Sequence, residues 1–252
     1  MLGSEKNGII HKNIVIFVSK TKDDKLYRFM LEIRNTQVYD LKESIIACRN
    51  AMRLDIPEYT DEEFEKGLER AKKLVQASKN GVVKCHDNFM TGIRVSFDMK
   101  YTQYITKQFQ RYHWFDYVSS SSLMHRLVLM DPDKICNKYV SQECIDTLEK
   151  DIKRYNDIAA WEDFNGATFI LRDGTELITR SKAEALYWAY MKCISDCPMG
   201  AELFVHVSTN YKQIQTIYFQ RRGHKLKEDW GEFERWVESL PYAHELIIGD
   251  AE

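Results

Sequence analysis

The chain has 252 residues, of which 44% are hydrophobic and 12% aromatic, enough to fill a substantial core. Lysine and arginine number 36 against 38 acidic residues, so no overall positive field attracts nucleic acid. No apolar run approaches the roughly 20 residues that span a bilayer, and the first residues lack the apolar core of a signal peptide. A soluble, cytoplasmic protein is therefore predicted, with any anion site confined to a local patch.

The cysteines are scattered, and no pair has the two-residue spacing of a structural zinc site. We expect no metal site and interpret the cysteines as reduced, mostly buried thiols. They are Cys48, Cys85, Cys136, Cys144, Cys193 and Cys197.

Residues 1–25 are predicted to be an N-terminal extension in which residues 14–18 have the composition of an edge strand. A strand over residues 27–34 then opens the main domain. The helix predicted over residues 41–52 directs Ile45, Ile46, Cys48 and Met52 toward the core. Another helix, to about residue 78, begins at a capping box formed by Thr60 and Glu63.

The strictest alternation in the sequence places Ile93, Val95, Phe97 and Met99 on one face of a half-buried strand. Thr102 is predicted to cap the next helix, which has Ile105, Phe109 and Tyr112 as its apolar stripe. Gln108 and Arg111 are three residues apart, so their side chains are expected to emerge together beside that stripe and contact a polar ligand. The alternative is an arginine that caps nearby carbonyls.

Residues 119–122 are all serine, and His125 and Arg126 follow them. We predict a loop whose hydroxyl and backbone N–H groups bind an oxyanion or the edge of a base. The alternative is a solvated surface loop. No histidine and aspartate at recognisable spacing mark any of the serines as a nucleophile.

Two further helices are predicted, one over residues 141–160 and one opened by the capping box of Ser181 and Glu184. Between them, residues 167–180 indicate a β-hairpin that turns at Asp173-Gly174 and is a possible insertion. A strand over residues 203–207 precedes Asn210, which is expected to cap a helix over residues 211–222.

Arg221 continues the apolar stripe of that helix after Ile214, Ile217 and Tyr218. A charge on a buried face must be paired or must bind a charged group. An internal salt bridge and an anionic ligand are the two explanations. A C-terminal helix over residues 229–240 completes the elements, and one α+β domain over residues 26–252 is the simplest architecture.

In residues 108–126 and 198–224 the chain resembles the flavin-dependent thymidylate synthases, and more closely their divergent, phage-like branch. The resemblance extends over residues 38–240. The family's arginine–histidine–arginine motif falls on Arg111, Tyr112 and His113, and its motif serine falls on Ser121. Further family positions fall on His86, Gln108, Pro198, Asn210 and Arg221.

The chain also departs from the family pattern. The motif reads Arg-Tyr-His, two family arginines are replaced by Leu123 and Ile194, and a family glutamate is replaced by Thr91. We hypothesise that Arg126 or His125 replaces the lost positive charge.

The resemblance implies a mainly antiparallel sheet flanked by long helices, and a homotetramer with its sites at subunit interfaces. It also implies FAD-dependent modification of C5 of a pyrimidine deoxynucleotide, most simply methylation of dUMP with methylenetetrahydrofolate and NADPH. The alternatives are hydroxymethylation at C5 and a non-catalytic protein that binds nucleotide or flavin. Neither nucleic acid nor a membrane is an expected partner.

Together, the motifs and the resemblance predict three sets of site residues. The catalytic set is Ser121 and Arg221. The substrate-binding set is Gln108, Arg111, Ser119, Ser121, Ser122, Arg126 and Arg221. The cofactor-binding set is His86, Asn88, Arg111, Tyr112, His113, Asn210 and Lys212.

Overall fold

The computed structural model describes residues 14–15, 31–79 and 86–249 of the chain. The strands are β1 (Ile14–Val15), β2 (Glu32–Tyr39), β3 (Arg94–Thr102), β4 (Asp116–Ser120), β5 (Thr168–Ile170), β6 (Glu176–Ile178) and β7 (Glu202–Asn210). The α-helices are α1 (Leu41–Ala47), α2 (Asp61–Lys79), α3 (Gln103–Phe109), α4 (Leu123–Arg126), α5 (Pro132–Ile135), α6 (Gln142–Ala160), α7 (Lys182–Asp196), α8 (Tyr211–Arg221) and α9 (Lys227–Glu238). Short 3₁₀ turns occupy Asn50–Met52, Asn88–Thr91 and Leu127–Leu129, and a π-helix occupies His244–Ile248.

Five strands form an antiparallel sheet in the order β1, β2, β3, β7, β4. Strands β3 and β7 pair over their whole length, from Arg94 opposite Asn210 to Thr102 opposite Glu202. The predicted alternation of β3 is confirmed, because Val95, Phe97 and Met99 are fully buried. This mixture of helices with a mainly antiparallel sheet is the predicted α+β class.

The core lies on one face of the sheet, between its apolar side chains and helices α1, α2, α8 and α9. The inner face of α8 contributes Tyr211, Ile214 and Ile217, and none of the three is exposed to solvent. Burying this much apolar surface is the main source of stability, at roughly 25 cal/mol per Å². The buried stripe therefore fixes how α8 sits on the sheet, and with it the position of Arg221.

A second layer consists of α6, α7 and the hairpin formed by β5 and β6. It has apolar clusters of its own, one around Leu148 and Cys193 and one around Phe169 and Ala189. The predicted hairpin is confirmed, with Gly174 at φ +85° in the turn, a conformation that glycine adopts at little cost. That residues 26–252 form one domain, with the hairpin as an insertion, stays a prediction.

The predicted first strand is wrong in position, because β2 runs from Glu32 to Tyr39. A bulge between Arg34 and Gln37, with Asn35 at φ +52°, interrupts the alternation of apolar and polar residues. The second half of the strand therefore has no clear strand pattern in the sequence. Residues 27–30 lie outside the described part. The predicted edge strand is confirmed at Ile14–Val15, which pairs with β2, whereas residues 16–18 fall outside the described ranges.

The helix predicted over residues 41–52 ends at Ala47 and is followed by a 3₁₀ turn. The placement of Met52 in the core is wrong, because this residue is 83% exposed. The physical reason is a pair of ion pairs from Arg49 and Arg53 to Glu63, which tie the chain to α2 and turn it outward.

The predicted cap at Thr102 is wrong: its side chain makes no cap hydrogen bond, because the residue is the last of β3, pairs opposite Glu202 and is fully buried. Three other predicted helix caps are confirmed by hydrogen bonds to the backbone. Thr60 Oγ1 accepts from the N–H of Glu63 at 3.2 Å, and Ser181 Oγ accepts from the N–H of Glu184 at 3.2 Å. Asn210 Oδ1 accepts from the N–H of Gln213 at 2.9 Å. Among the described residues, no helix combines the length and apolar character needed to cross a membrane.

Candidate functional site

A cleft of about 520 Å³ lies between the turn that follows α3 and the outer surface of α8. Its lining residues are Arg111, Tyr112, His113, Gln213, Thr216, Gln220 and Arg221. No carboxylate lines it in the part of the chain that the structure describes. Two guanidinium groups and several neutral hydrogen-bonding groups therefore face one space, as an anionic ligand requires.

A larger cavity, of about 710 Å³, opens between α5 and α6. Four acidic residues line it, Asp131, Asp133, Asp146 and Glu149, together with Lys150 and Lys153. Its carboxylates would repel a phosphate, so size alone does not identify the site. The smaller cleft on α8 has the more suitable chemistry for a nucleotide.

Helix α8 forms one wall of the cleft because its polar residues follow helical spacing. Gln213, Thr216 and Gln220 are three and four residues apart and share one face. The other wall is held in place by the backbone of Trp114. Its backbone N–H donates to Gln213 Oε1 at 3.2 Å, and its backbone carbonyl accepts from Thr209 Oγ1 at 2.6 Å. These bonds fix the turn that carries Arg111 against the start of α8.

Arg221 is half-buried at the end of α8, and its described contacts are with neutral groups. Its Nε donates to Tyr112 Oη at 2.7 Å, and its guanidinium carbon lies 4.7 Å from the ring centre of Trp230. No described carboxylate is within ion-pair distance of it. The internal salt bridge considered from the sequence is therefore not found in the described part, and the guanidinium charge stays available to a ligand.

Gln108 lies behind Arg221 and supports the cluster. Its side-chain oxygen accepts from Trp230 Nε1 at 3.3 Å, and its carbonyl is 3.5 Å from Arg221 Nη2. The expectation that Gln108 and Arg111 share a helical flank is wrong, because α3 ends at Phe109 and Arg111 lies beyond it, exposed.

Tyr112 points into the protein and is only 7% exposed. Burial raises the pKa of Tyr112 above its ordinary value, and the neighbouring Arg221 only partly offsets this. The phenol is therefore neutral at physiological pH and able to accept the hydrogen bond from Arg221. His113, next in the motif, is exposed at the cleft and packs edge-on against Trp114.

A second group of predicted cofactor residues lies at the other end of α8. His86 and Asn88 are exposed, and the residue between them, Asp87, is buried and forms an ion pair with the partly exposed Lys212. Asn210 is buried, with its side-chain oxygen used as the helix cap. At 1.5 Å per residue, Asn210 and Arg221 are separated by about 16 Å along the helix axis.

Comparison with known proteins places this arrangement in a known fold. No family model and no curated protein matches the sequence. Among solved structures, the flavin-dependent thymidylate synthase ThyX from Helicobacter pylori, complexed with FAD and dUMP, matches over 83% of this chain and 94% of its own, with a TM-score of 0.50 and 14% identity. A second structure of that enzyme with FAD and dUMP has a TM-score of 0.51 and 14% identity over 86% of this chain and 96% of its own.

The UMP/dUMP methylase PolB from Streptomyces cacaoi, bound to 5-Br dUMP, has a TM-score of 0.53 and 11% identity over 88% of this chain and 95% of its own. The chain has the ThyX fold. The resemblance inferred from the motifs is thus confirmed at the level of the fold.

Within this ThyX fold, the predicted serine loop is partly wrong. Ser119 and Ser120 belong to the edge strand β4, where exposed polar side chains are common because only the backbone has to pair. Ser121 follows the strand and is bound to β7: its N–H donates to the Phe204 carbonyl at 2.8 Å, and its Oγ accepts from the Phe204 N–H at 3.0 Å.

The predicted substrate set is therefore divided within one subunit. Ser119, Ser121, Ser122 and Arg126 do not line the cleft that contains Arg111 and Arg221. Strand β4 starts opposite Ser208 and ends opposite Val205, so the chain runs away from the start of α8 toward the other end of β7.

The sequence resemblance places two family arginines at positions that are apolar in this chain, Leu123 and Ile194. Leu123 and Ile194 are both partly buried and pack against the apolar cluster that contains Leu127, Leu148 and Cys193. At both positions an apolar side chain therefore contributes to one packed region. Arg126, which was considered as a replacement, is exposed at the end of α4.

Several residues of the site were missed from the sequence. The polar spacing of Gln213, Thr216 and Gln220 was a signal for one wall of the cleft. Trp230 had no such signal, because it lies in α9 and reaches Arg221 and Gln108 only through the tertiary fold.

Proposed function

We propose that the protein is an FAD-dependent enzyme that modifies C5 of a pyrimidine deoxynucleotide. The simplest reaction is the reductive methylation of dUMP, with methylenetetrahydrofolate as carbon donor and NADPH as reductant. The observation that carries the proposal is the half-buried Arg221, which faces a cleft free of described carboxylates on a ThyX fold.

A nucleotide phosphate matches this cleft in charge and geometry. A guanidinium group binds phosphate through parallel N–H bonds, and such charge-assisted bonds are about twice as strong as neutral ones. Arg221 supplies the half-buried charge, and the exposed Arg111 supplies a second charge in the same cleft. The neutral side chains of Thr216 and Gln220 leave this positive charge uncancelled.

The exposed donors around α8 also fit FAD. Reduced flavin, when bound, supplies the electrons for the chemistry at C5. His86 and Asn88 at one end of the helix, with Arg111 and His113 in the cleft, are the exposed residues able to bind the polar groups of that cofactor. Asn210 and Tyr112 are buried within the subunit, so the proposal does not assign them the flavin contacts predicted from the sequence.

The division of the substrate set favours a site built from more than one subunit. Ser121 lies at the β4 edge, whereas Arg221 lies in the cleft on α8. Placing both against one nucleotide requires copies of the chain to approach each other, as in the homotetramer that the resemblance implies.

Reconstitution with flavin followed by assay tests the proposal. We expect purified protein to bind FAD with a flavin absorption band and to convert dUMP to dTMP with methylenetetrahydrofolate and NADPH. dCMP serves as the competing substrate, and protein without FAD serves as the control. Protein that binds neither FAD nor any pyrimidine nucleotide would contradict the proposal.

The second candidate retains binding but has different chemistry or no turnover. It is favoured by the apolar packing of Leu123 and Ile194, where the family has arginines. Mass analysis of the product separates methylation from hydroxymethylation at C5. Tight binding of FAD and nucleotide without any product would favour the non-catalytic form.

A further inference from the structure

We infer that Tyr112 and Trp230 are positioning residues that hold the guanidinium of Arg221 in the orientation that binds the nucleotide phosphate. The inference rests on the proposed function, because it takes that phosphate as the ligand of Arg221. It assigns a role to Trp230, which the sequence motifs did not include, and replaces the predicted flavin contact of Tyr112 with a structural contact to Arg221.

The guanidinium is held by two aromatic side chains and one directed hydrogen bond. Its central carbon lies 4.7 Å from the ring centre of Trp230 and 5.5 Å from that of Tyr112. The bond from Nε to Tyr112 Oη, at 2.7 Å, restricts rotation at the end of the side chain. Both contact distances are within the range of favourable cation–π interactions.

The aromatic support is itself anchored to α3. Trp230 is 1% exposed, and its Nε1 donates to the side-chain oxygen of Gln108. The backbone carbonyl of Gln108 accepts a second, weaker hydrogen bond from Arg221 Nη2. Gln108 thus connects the two groups, which gives it a supporting role behind the cleft.

This arrangement orders Arg221 without neutralising it. A carboxylate would hold the side chain equally well, but it would compete with a phosphate for the same charge. The described partners of Arg221 are a phenol, an indole and a carbonyl, and no described residue accepts a hydrogen bond from Nη1. A long side chain that is already ordered loses less conformational freedom when its ligand binds.

The altered motif has a physical explanation in this geometry. Tyr112 stands where the resemblance places the family's histidine. A histidine that became protonated would repel Arg221, whereas the buried phenol stays neutral and accepts the bond from Nε.

The first test compares Tyr112→Phe with Tyr218→Phe by calorimetry. The control tyrosine is also buried, lies on α8 and bonds to a charged side chain, Glu238, but it is outside the cleft. We expect Tyr112→Phe to weaken dUMP binding about tenfold. Binding of deoxyuridine, which lacks the phosphate, and of FAD is expected to stay within about twofold. Tyr218→Phe is expected to leave all three affinities unchanged.

The second test uses Trp230→Phe, with Trp236→Phe as the control. Trp236 is also buried in α9 and uses its indole N–H to bond Thr36, away from Arg221. We expect only Trp230→Phe to weaken dUMP binding selectively over deoxyuridine. In an Arg221→Ala background, neither Tyr112→Phe nor Trp230→Phe is expected to weaken dUMP binding further, because the side chain that they position is gone.

If Tyr112 and Trp230 only stabilised the fold, their variants would not weaken dUMP binding selectively over deoxyuridine binding. Equal losses of dUMP and deoxyuridine binding, or additive losses in the Arg221→Ala background, would overturn the inference. So would unchanged dUMP affinity in Tyr112→Phe, although the proposed function would then survive.

If the wild type binds no pyrimidine nucleotide, the proposed function fails and the binding tests cannot be made. A measurement without ligand then tests the positioning of Arg221 by itself. The Arg221 Nε–H resonance in ¹⁵N spectra is expected to exchange slowly in the wild type and in Tyr218→Phe, and rapidly in Tyr112→Phe. Equal exchange rates in all three proteins would contradict the positioning of Arg221 itself.

Discussion

Arg221 shows how one residue combines structural and functional constraints. It occupies the next position in the apolar stripe of α8, after Ile217 and Tyr218, both of which are buried. Its aliphatic stem follows the buried side chains, and its charged end reaches the cleft, as long cationic side chains commonly do. The half-buried position is therefore compatible with stability because aromatic groups cover the guanidinium.

Replacing this arginine is expected to affect nucleotide binding more than folding. Arg221→Ala removes a charge-assisted contact worth roughly 1.5–3 kcal/mol, which corresponds to a loss of dUMP affinity of about 10- to 100-fold. The matched control is Arg222→Ala, since Arg222 is exposed and lies outside the cleft. Calorimetry measures the affinity and urea unfolding measures stability. Unchanged affinity would remove Arg221 from the site.

Asp229, next to Trp230, predicts a pH-dependent stability. Burial raises the pKa of Asp229 from 3.8 to about 6, and the hydrogen bond from Tyr104 opposes this only in part. Between these two values the folded protein holds a proton that the unfolded chain has lost. This contribution to stability is greatest below about pH 4 and falls as the pH rises through 6.

Asp229→Asn is therefore expected to stabilise the protein above pH 6 by about 2–3 kcal/mol, and to have little effect near pH 4. Urea unfolding at several pH values measures this. Glu228→Gln is the control of opposite sign, because hydrogen bonds from Tyr139 and Lys138 lower the pKa of Glu228. A gain from Asp229→Asn that is equal at both ends of the pH range would show that ionisation is not its cause.

At the scale of elements, the junction of β7 and α8 organises the site. The strand ends at Asn210 and the helix starts at the next residue, so the sheet register determines where the face bearing Gln213 and Thr216 points. The cap bond of Asn210 satisfies a backbone N–H that the first turn of the helix would otherwise leave without a partner.

Removing this cap is expected to destabilise the protein without altering the cleft chemistry. Asn210→Ala should lower the free energy of unfolding by about 1 kcal/mol, and Asn210→Asp should retain most of that stability because aspartate also caps helices. Thermal or urea unfolding of the two variants provides the comparison. Equal losses in both would mean that the cap bond is not the source of the effect.

At the scale of the whole molecule, the site is predicted to be shared between subunits. Ser121 and Arg221 lie in separate regions of one chain, so Ser121→Ala and Arg221→Ala are each expected to lose activity. Co-expression should restore activity, because about a quarter of randomly paired sites then take both wild-type residues, one from each subunit. Assay of the mixed enzyme for dTMP formation measures this. No recovery in confirmed mixed assemblies would place each site within a single subunit.

The elements that could be predicted are those with local causes. The alternation of β3, the three helix caps and the turn at Gly174 each depend on residues a few positions apart, and all are confirmed. Errors arose where distant contacts prevail. Ion pairs to Glu63 end the first helix early, and pairing with β7 draws the first serines of the run into a strand.

By itself, the sequence determined the α+β class, the ThyX-like motif spacing and the presence of a charge on the buried stripe of α8. Only the tertiary structure decided what that charge contacts. Tyr112 and Arg221 are 109 positions apart, and Gln108 and Trp230 are 122 apart. Periodicity reports which face of an element is buried, but the packing of the α3 turn, α8 and α9 on one sheet determines which buried faces meet.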